Sequence, residues 1–158
     1  MRRVTLARAL TCPSASPLRR AVETARVIAD RFGLEVAEVP GLIDLDYGAW
    51  EGLTWDEATA ADPNAVAVFR SDPHTAIPPG GEPVASVQSR VMSTLEELVS
   101  RAPGASLVAV THEIPIRLVL ASLLGWEGGD VWHILPGSIA RLESDQGRLS
   151  VADLPDGD

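Results

Sequence analysis

Few folds can accommodate residues 106–125, S-L-V-A-V-T-H-E-I-P-I-R-L-V-L-A-S-L-L-G. The apolar run Leu107 to Val110 does not alternate, which suits a parallel strand buried on both faces. Beyond the polar tip Thr111-His112, apolar residues at 114, 118, 119, 120, 123 and 124 form a helical stripe. Pro115 falls in its first turn and Gly125 is its stop. A strand, a polar tip and a helix in this order are the unit of an open α/β sheet, where ligands gather beyond the carboxyl ends of the strands. The free N–H groups and positive dipole end of the following helix favour an anion there. Position alone leaves two readings of His112: a side chain facing an anion, or one merely hydrogen-bonded at a loop.

Composition limits what such a site can belong to. With 158 residues and 46% apolar content the chain is expected to form one domain, residues 1–158, with an adequate core. A net charge of −9 argues against nucleic acid and anionic membranes as partners, so any anion must be held by local positive groups. The single Cys12 excludes an internal disulfide and a multi-cysteine zinc site. No apolar run approaches the ~20 residues of a membrane span, and no secretory leader is evident. The expectation is a soluble, cytoplasmic protein. There is no internal repeat, and only a short acidic tail from Asp153 to Asp158.

Periodicity then divides the chain. Met1 to Leu10 reads equally as a strand (Val4, Leu6) or a helix end (Leu6, Ala7, Leu10). A helix is predicted from the N-cap Ser16, with Pro17 at its first position, apolar residues at 18, 21, 25, 28, 29 and 32, and Gly33 past its end. Arg20 sits in the first turn, where a cation opposes the helix dipole unless an anion is held there. Leu34 to Val39 alternates as a strand with one wetter face, near a sheet edge. The Gly-punctuated segment that follows carries Asp44, Asp46 and Glu51, which serve either turn chemistry or acid/base chemistry. Thr54 to Glu57 is a capping box opening a short helix through Ala61, and a second runs from Pro63 to Phe69. Trp50 and Trp55 read as packing anchors. The Pro/Gly-rich residues 71–83 are a loop, and apolar positions 84, 87, 91, 95, 98 and 99 mark a helix from Val84 to Arg101. Ser138 to Glu143 and Arg148 to Leu154 form a closing hairpin. His133, beside Trp132, reads as structural.

Four segments in this order, S-P-L-R-R-A-V-E-T-A, L-I-D-L-D-Y-G-A-W-E-G-L-T, P-P-G-G-E and V-A-V-T-H-E, resemble the histidine phosphatase superfamily, also called phosphoglycerate mutase-like. The resemblance runs from about Ser16 to about residue 143. It implies a three-layer α/β/α sandwich with a mainly parallel sheet, and a phosphoryl-transfer site without metal or cofactor, acting on a small phosphorylated substrate or ligand. It assigns Arg20 to clamp the phosphoryl group, and His112 to hydrogen-bond its oxygens as the second histidine of the family pocket, with Glu113 beside it in substrate binding. Asp44 takes the place of the family's glutamate general acid, one methylene shorter.

The family's nucleophile is a histidine in an Arg-His-Gly motif, and no R-H-G occurs in this sequence. With Val4 to Leu10 as the first strand, Arg8, Ala9 and Leu10 take the motif's places and alanine replaces the nucleophile. With those residues as a helix end, the first strand is missing. Cys12 is no substitute, since the sixth residue after it is Leu18 where a cysteine phosphatase needs arginine. His74, in the Pro/Gly-rich loop, has no geometry favouring it. The expectation is therefore an inactive chain with an N-terminally incomplete or degenerate site, derived from a phosphohistidine phosphatase or mutase. The alternatives are a pseudo-enzyme that binds a phosphorylated ligand without turnover, and a folded remnant.

Overall fold

The computed structural model describes residues 10–73, 75–125 and 134–155. The chain forms a three-layer α/β/α sandwich. Its central parallel strands are β1 (Ser14–Ala15), β2 (Ala37–Glu38) and β3 (Ala109–Val110), in the order β2-β1-β3. Ser14 is paired with both Ala37 and Ala109, and Ala15 with both Glu38 and Val110. Leu10, at the edge of the segment whose conformation the sequence leaves open, makes a parallel bridge to Ser106 and extends the β1–β3 pairing backwards. The rest of that segment lies outside the described residues.

Helix α1 (Arg19–Phe32) follows β1 and buries Ala21, Val22, Ala25 and Ala29. This small-residue face lets the helix lie close on β1 and β3. Gly33 ends it at φ 65°, and its N–H returns to the carbonyls of Ala29 and Asp30, as a glycine stop requires. The start differs from expectation: the N-cap is Leu18, with no side-chain cap bond. Ser16, the expected cap, accepts only a 3.3 Å bond from the Leu18 N–H and is otherwise committed to His112.

Helices α2 (Trp55–Ala61) and α3 (Pro63–Ser71) lie where the sequence places them, α2 opening on the complete Thr54/Glu57 capping box. Helix α4 (Val84–Arg101) turns Val84, Val87 and Val91 inward and packs against α5 (Glu113–Leu124), which buries Leu118, Val119, Leu120 and Ala121. These two helices share a core with Leu45, Trp50, Phe69 and Val66, so the long segment between β2 and α4 is packed structure. Strands β4 (Arg141–Asp145) and β5 (Arg148–Asp153) close the chain as an antiparallel hairpin.

The strand leading to His112 is shorter and wetter than expected. Only Ala109 and Val110 are regular strand, and Ala109 is exposed. Among the described residues β3 pairs only with β1.

Two loops approaching the sheet top are sewn together. The Ala49 N–H donates to the Pro79 carbonyl (2.8 Å) and the Glu82 N–H to that of Asp46 (3.0 Å). Gly48 sits at φ 54°, and a Cβ there would stand 2.4 Å from the Pro79 oxygen, so the crossing needs glycine on both counts.

Candidate active site

Four elements deliver side chains to one point at the carboxyl end of the parallel strands. Ser16 follows β1, Arg20 stands on the first turn of α1, Asp44 lies on the loop after β2, and His112 follows β3 as the N-cap of α5. The Arg20 Nε donates to His112 Nδ1 at 3.2 Å and its Nη2 to Asp44 Oδ2 at 3.0 Å. His112 Nδ1 lies 3.6 Å from Asp44 Oδ2. The far side of the ring is fixed as well, with Nε2 2.7 Å from Ser16 Oγ.

The network decides the tautomer. A guanidinium has only donors, so Nδ1 must accept from Arg20 and the ring proton sits on Nε2, donated to Ser16. Burial pushes the imidazole below its ordinary range and Asp44 pulls it back up, while Arg20 and Arg90 reinforce the downward shift. His112 is thus a neutral imidazole whose Nδ1 lone pair accepts from Arg20 with the Asp44 carboxylate beside it. Its side chain is 6% exposed, Asp44's 19% and Arg20's 63%. The histidine is held deep while the arginine reaches outward, toward where a soluble anion arrives. Tyr47, on the Asp44 loop, is raised above the ordinary phenol range by burial and by the Asp44 charge, so it stays neutral beside the site.

The neighbouring acids serve other ends. Asp46 Oδ1 accepts from the Gly48 N–H (2.8 Å) and Glu51 Oε1 from the Tyr47 N–H (3.1 Å), which is turn chemistry. Glu113 pairs with Arg117 one helical turn on (3.2 Å), outside the Arg20–His112–Asp44 network. His74, His133, Arg8 and Ala9 lie outside the described residues.

Ser16 was legible only as a helix cap, and its part in the site comes from pairing across 96 positions. Its hydroxyl is fully buried, and among the described residues no buried side-chain polar atom lacks a partner. Ser16→Ala leaves the Nε2–H of His112 unpaired. It should cost about 1–3 kcal/mol of stability, read as a lower urea midpoint at unchanged m. A midpoint equal to that of the parent chain would mean that the bond is not made in solution.

The expectation of an inactive chain built around an absent nucleophile is corrected here. The fully assembled Arg20–His112–Asp44 network, with a buried histidine bonded on both ring nitrogens and a carboxylate beside it, resembles an intact His/Asp dyad and not a degenerate pocket. A missing tripeptide does not tell what the remaining histidine can do once burial and Arg20 keep it neutral. The pseudo-enzyme reading, which rested on the same absence, falls with it.

Comparison with known proteins agrees with the geometry. Residues 2–156 match the family model of the histidine phosphatase superfamily (branch 1). Phosphoserine phosphatase 1 of Hydrogenobacter thermophilus is 35% identical over 117 residues, which cover 74% of this chain and 56% of that protein. Glucosyl-3-phosphoglycerate phosphatase of Mycolicibacterium vanbaalenii is 36% identical over 129 residues, 77% of this chain and 56% of the relative. The chain therefore spans about half the length of these curated relatives. Among solved structures, Bacillus stearothermophilus YhfR superposes with a TM-score of 0.83 at 29% identity, covering 95% of this chain and 74% of that one. A vanadate complex of mycobacterial glucosyl-3-phosphoglycerate phosphatase gives 0.79 at 27% identity, covering 94% and 77%.

Proposed function

From the premise that this chain belongs to the histidine phosphatase superfamily, we propose that it is a phosphomonoesterase in which His112 itself meets the phosphorus. The observation that carries this reading is the convergence of Arg20 and Asp44 on the unprotonated Nδ1 of a neutral, buried imidazole. Among the described residues His112 is the imidazole that Arg20 and Asp44 meet. Arg20 exchanges its bond to Nδ1 for phosphoryl oxygens and holds their charge as it redistributes.

The Nδ1 lone pair then forms the N–P bond while the ester P–O bond breaks. The ester binds as its monoanion and hands its proton to the Asp44 carboxylate, which passes it to the leaving oxygen, while the Nε2–H stays donated to Ser16 throughout. In the second half, water attacks phosphorus, Asp44 takes a proton from it and returns it to the departing phosphate, and the N–P bond breaks to release phosphate monoanion and the neutral ring. The residues in play are thus Arg20 and His112 toward the phosphoryl group and Asp44 toward the leaving group, with Glu113 on the first turn of α5 beside the substrate.

Substrates are small phosphate monoesters, in keeping with the relatives named for phosphoserine and glucosyl-3-phosphoglycerate. The chain acts as one domain, in the cytoplasm and away from nucleic acid. Among the described residues no helix is long and apolar enough to cross a membrane.

The test is a rapid alkaline quench of the chain during turnover of p-nitrophenyl phosphate. The expected product is an acid-labile, alkali-stable phosphoryl group that maps to the peptide holding His112. Turnover with no label on that peptide would remove His112 as nucleophile.

A further inference from the structure

We infer that Arg90 is a positioning residue for Asp44, the group assigned above to the leaving oxygen. Its side chain rises from the second turn of α4, about a quarter exposed, and every N–H it carries is engaged. Nε and Nη2 form a fork onto the two carboxylate oxygens of Glu82, at 3.0 and 2.8 Å. Nη1 donates to the carbonyls of Gly41 (3.1 Å) and Ile43 (2.7 Å), and Nη2 donates a second bond to the carbonyl of Asp44 itself (3.0 Å).

Three carbonyls within four successive residues are therefore held by one guanidinium, anchored in turn to the loop that carries Glu82. That loop is bonded back to the segment just after Asp44, since the Glu82 N–H donates to the Asp46 carbonyl. The Asp44 carboxylate is steered from the front by Arg20 and its own backbone from behind by Arg90. A lysine cannot reproduce this, because a single ammonium cannot present a planar fork to a carboxylate and reach three carbonyls beside it. The backbone of the Asp44 turn would then be free to shift, and a general acid displaced by an ångström loses much of its effect.

The inference rests on the phosphatase reading for its kinetic consequence, and on geometry alone for its structural one. The test uses both. In the intact chain, Arg90→Lys should behave as a weaker Asp44→Asn. Turnover of an alkyl phosphate, whose leaving group needs a proton, falls by about 10²-fold, while that of 2,4-dinitrophenyl phosphate, which needs none, hardly changes. The double variant should lose no more than Asp44→Asn alone. A purely structural role would lower both substrates alike and add to the Asp44 loss.

Independently of turnover, the imidazole of His112 is titrated by NMR. The charged groups facing it are Asp44, which raises its pKa, and Arg20 and Arg90, which lower it. Since lysine keeps the positive charge, a change in Arg90→Lys reports displacement of Asp44, and His112 should titrate at lower pH, in the direction of Asp44→Asn. Glu82→Gln, which weakens the anchor but keeps the guanidinium, should move it the same way by less. A His112 titration in Arg90→Lys that overlays the parent's overturns the inference whatever the kinetics. A parent chain that hydrolyses neither ester overturns the phosphatase reading, and the titration still decides the role of Arg90.

Discussion

Replacing His112 by asparagine is expected to reduce kcat for any phosphate ester by about 10⁴-fold or more, with the protein still folded. The magnitude follows from the place of the residue. One ring nitrogen is tied to buried Ser16 at 2.7 Å, and the other is the lone pair on which both Arg20 and Asp44 converge. Removing the ring removes the atom proposed to bond phosphorus and leaves Arg20 and Asp44 clamped on each other at 3.0 Å, a pair that can bind an anion or shed it but cannot accept a phosphoryl group. Asparagine is the informative choice because it keeps a polar group between Ser16 and Arg20 and so limits the folding cost that alanine would add. Initial rates against p-nitrophenyl phosphate, with far-UV circular dichroism to verify folding, settle the matter. A variant that stays within about tenfold of the parent chain would show that His112 only supports another group.

How far the sequence reveals this arrangement depends on whether the information is local. Helix α4 begins and ends where its apolar period and the Pro103-Gly104 stop require, and α5 ends at Gly125, at φ 67°. These features are written within a few residues of one another. The order Arg20, Asp44, His112 was legible because a family resemblance supplied what spacing alone does not. The hub at Arg90 was not: it stands on a helix whose polar residues are mostly solvated, and its carbonyl partners lie 46 to 49 positions away. Its one local trace is Glu82, eight residues earlier in the P-P-G-G-E segment. Ser16 is visible in another role, since a serine before Pro-Leu-Arg reads as a cap until the distant histidine is brought to it. The apolar residues before His112 predict a doubly buried strand. Whether such a strand is covered depends on which strands flank it, and here only β1 does so among the described residues.

The long segment that carries Asp44 holds its shape by burying aromatic rings, and this gives the second large expected effect. Trp50 is 6% exposed, its ring centroid 5.6 Å from that of Phe69 at 89° and 6.2 Å from that of Trp55 at 64°, both edge-to-face. It belongs to the same core as Val87 and Val91 of α4 and Leu118 and Val119 of α5, so its removal leaves a cavity between the Asp44 loop and the two helices behind it. Trp50→Ala should cost about 3–5 kcal/mol. Against a total of about 5–15 kcal/mol for a domain of this kind, that brings the folded state close to failure. Trp55→Ala is the matched control, because that ring is 44% exposed and its outer side carries the Arg70 guanidinium 5.7 Å from the ring centroid. Its loss should cost less, about 2 kcal/mol, because much of the ring is already solvated although it touches Tyr47 and Phe69. Urea denaturation of both variants, with m held as a check on two-state behaviour, separates the two outcomes. Equal losses at the two positions would mean that the aromatic cluster is not packed through Trp50. The Asp44 loop would then owe its position to Arg90 and the backbone bonds between the loops alone, and Trp50→Ala should leave the titration of His112 unmoved.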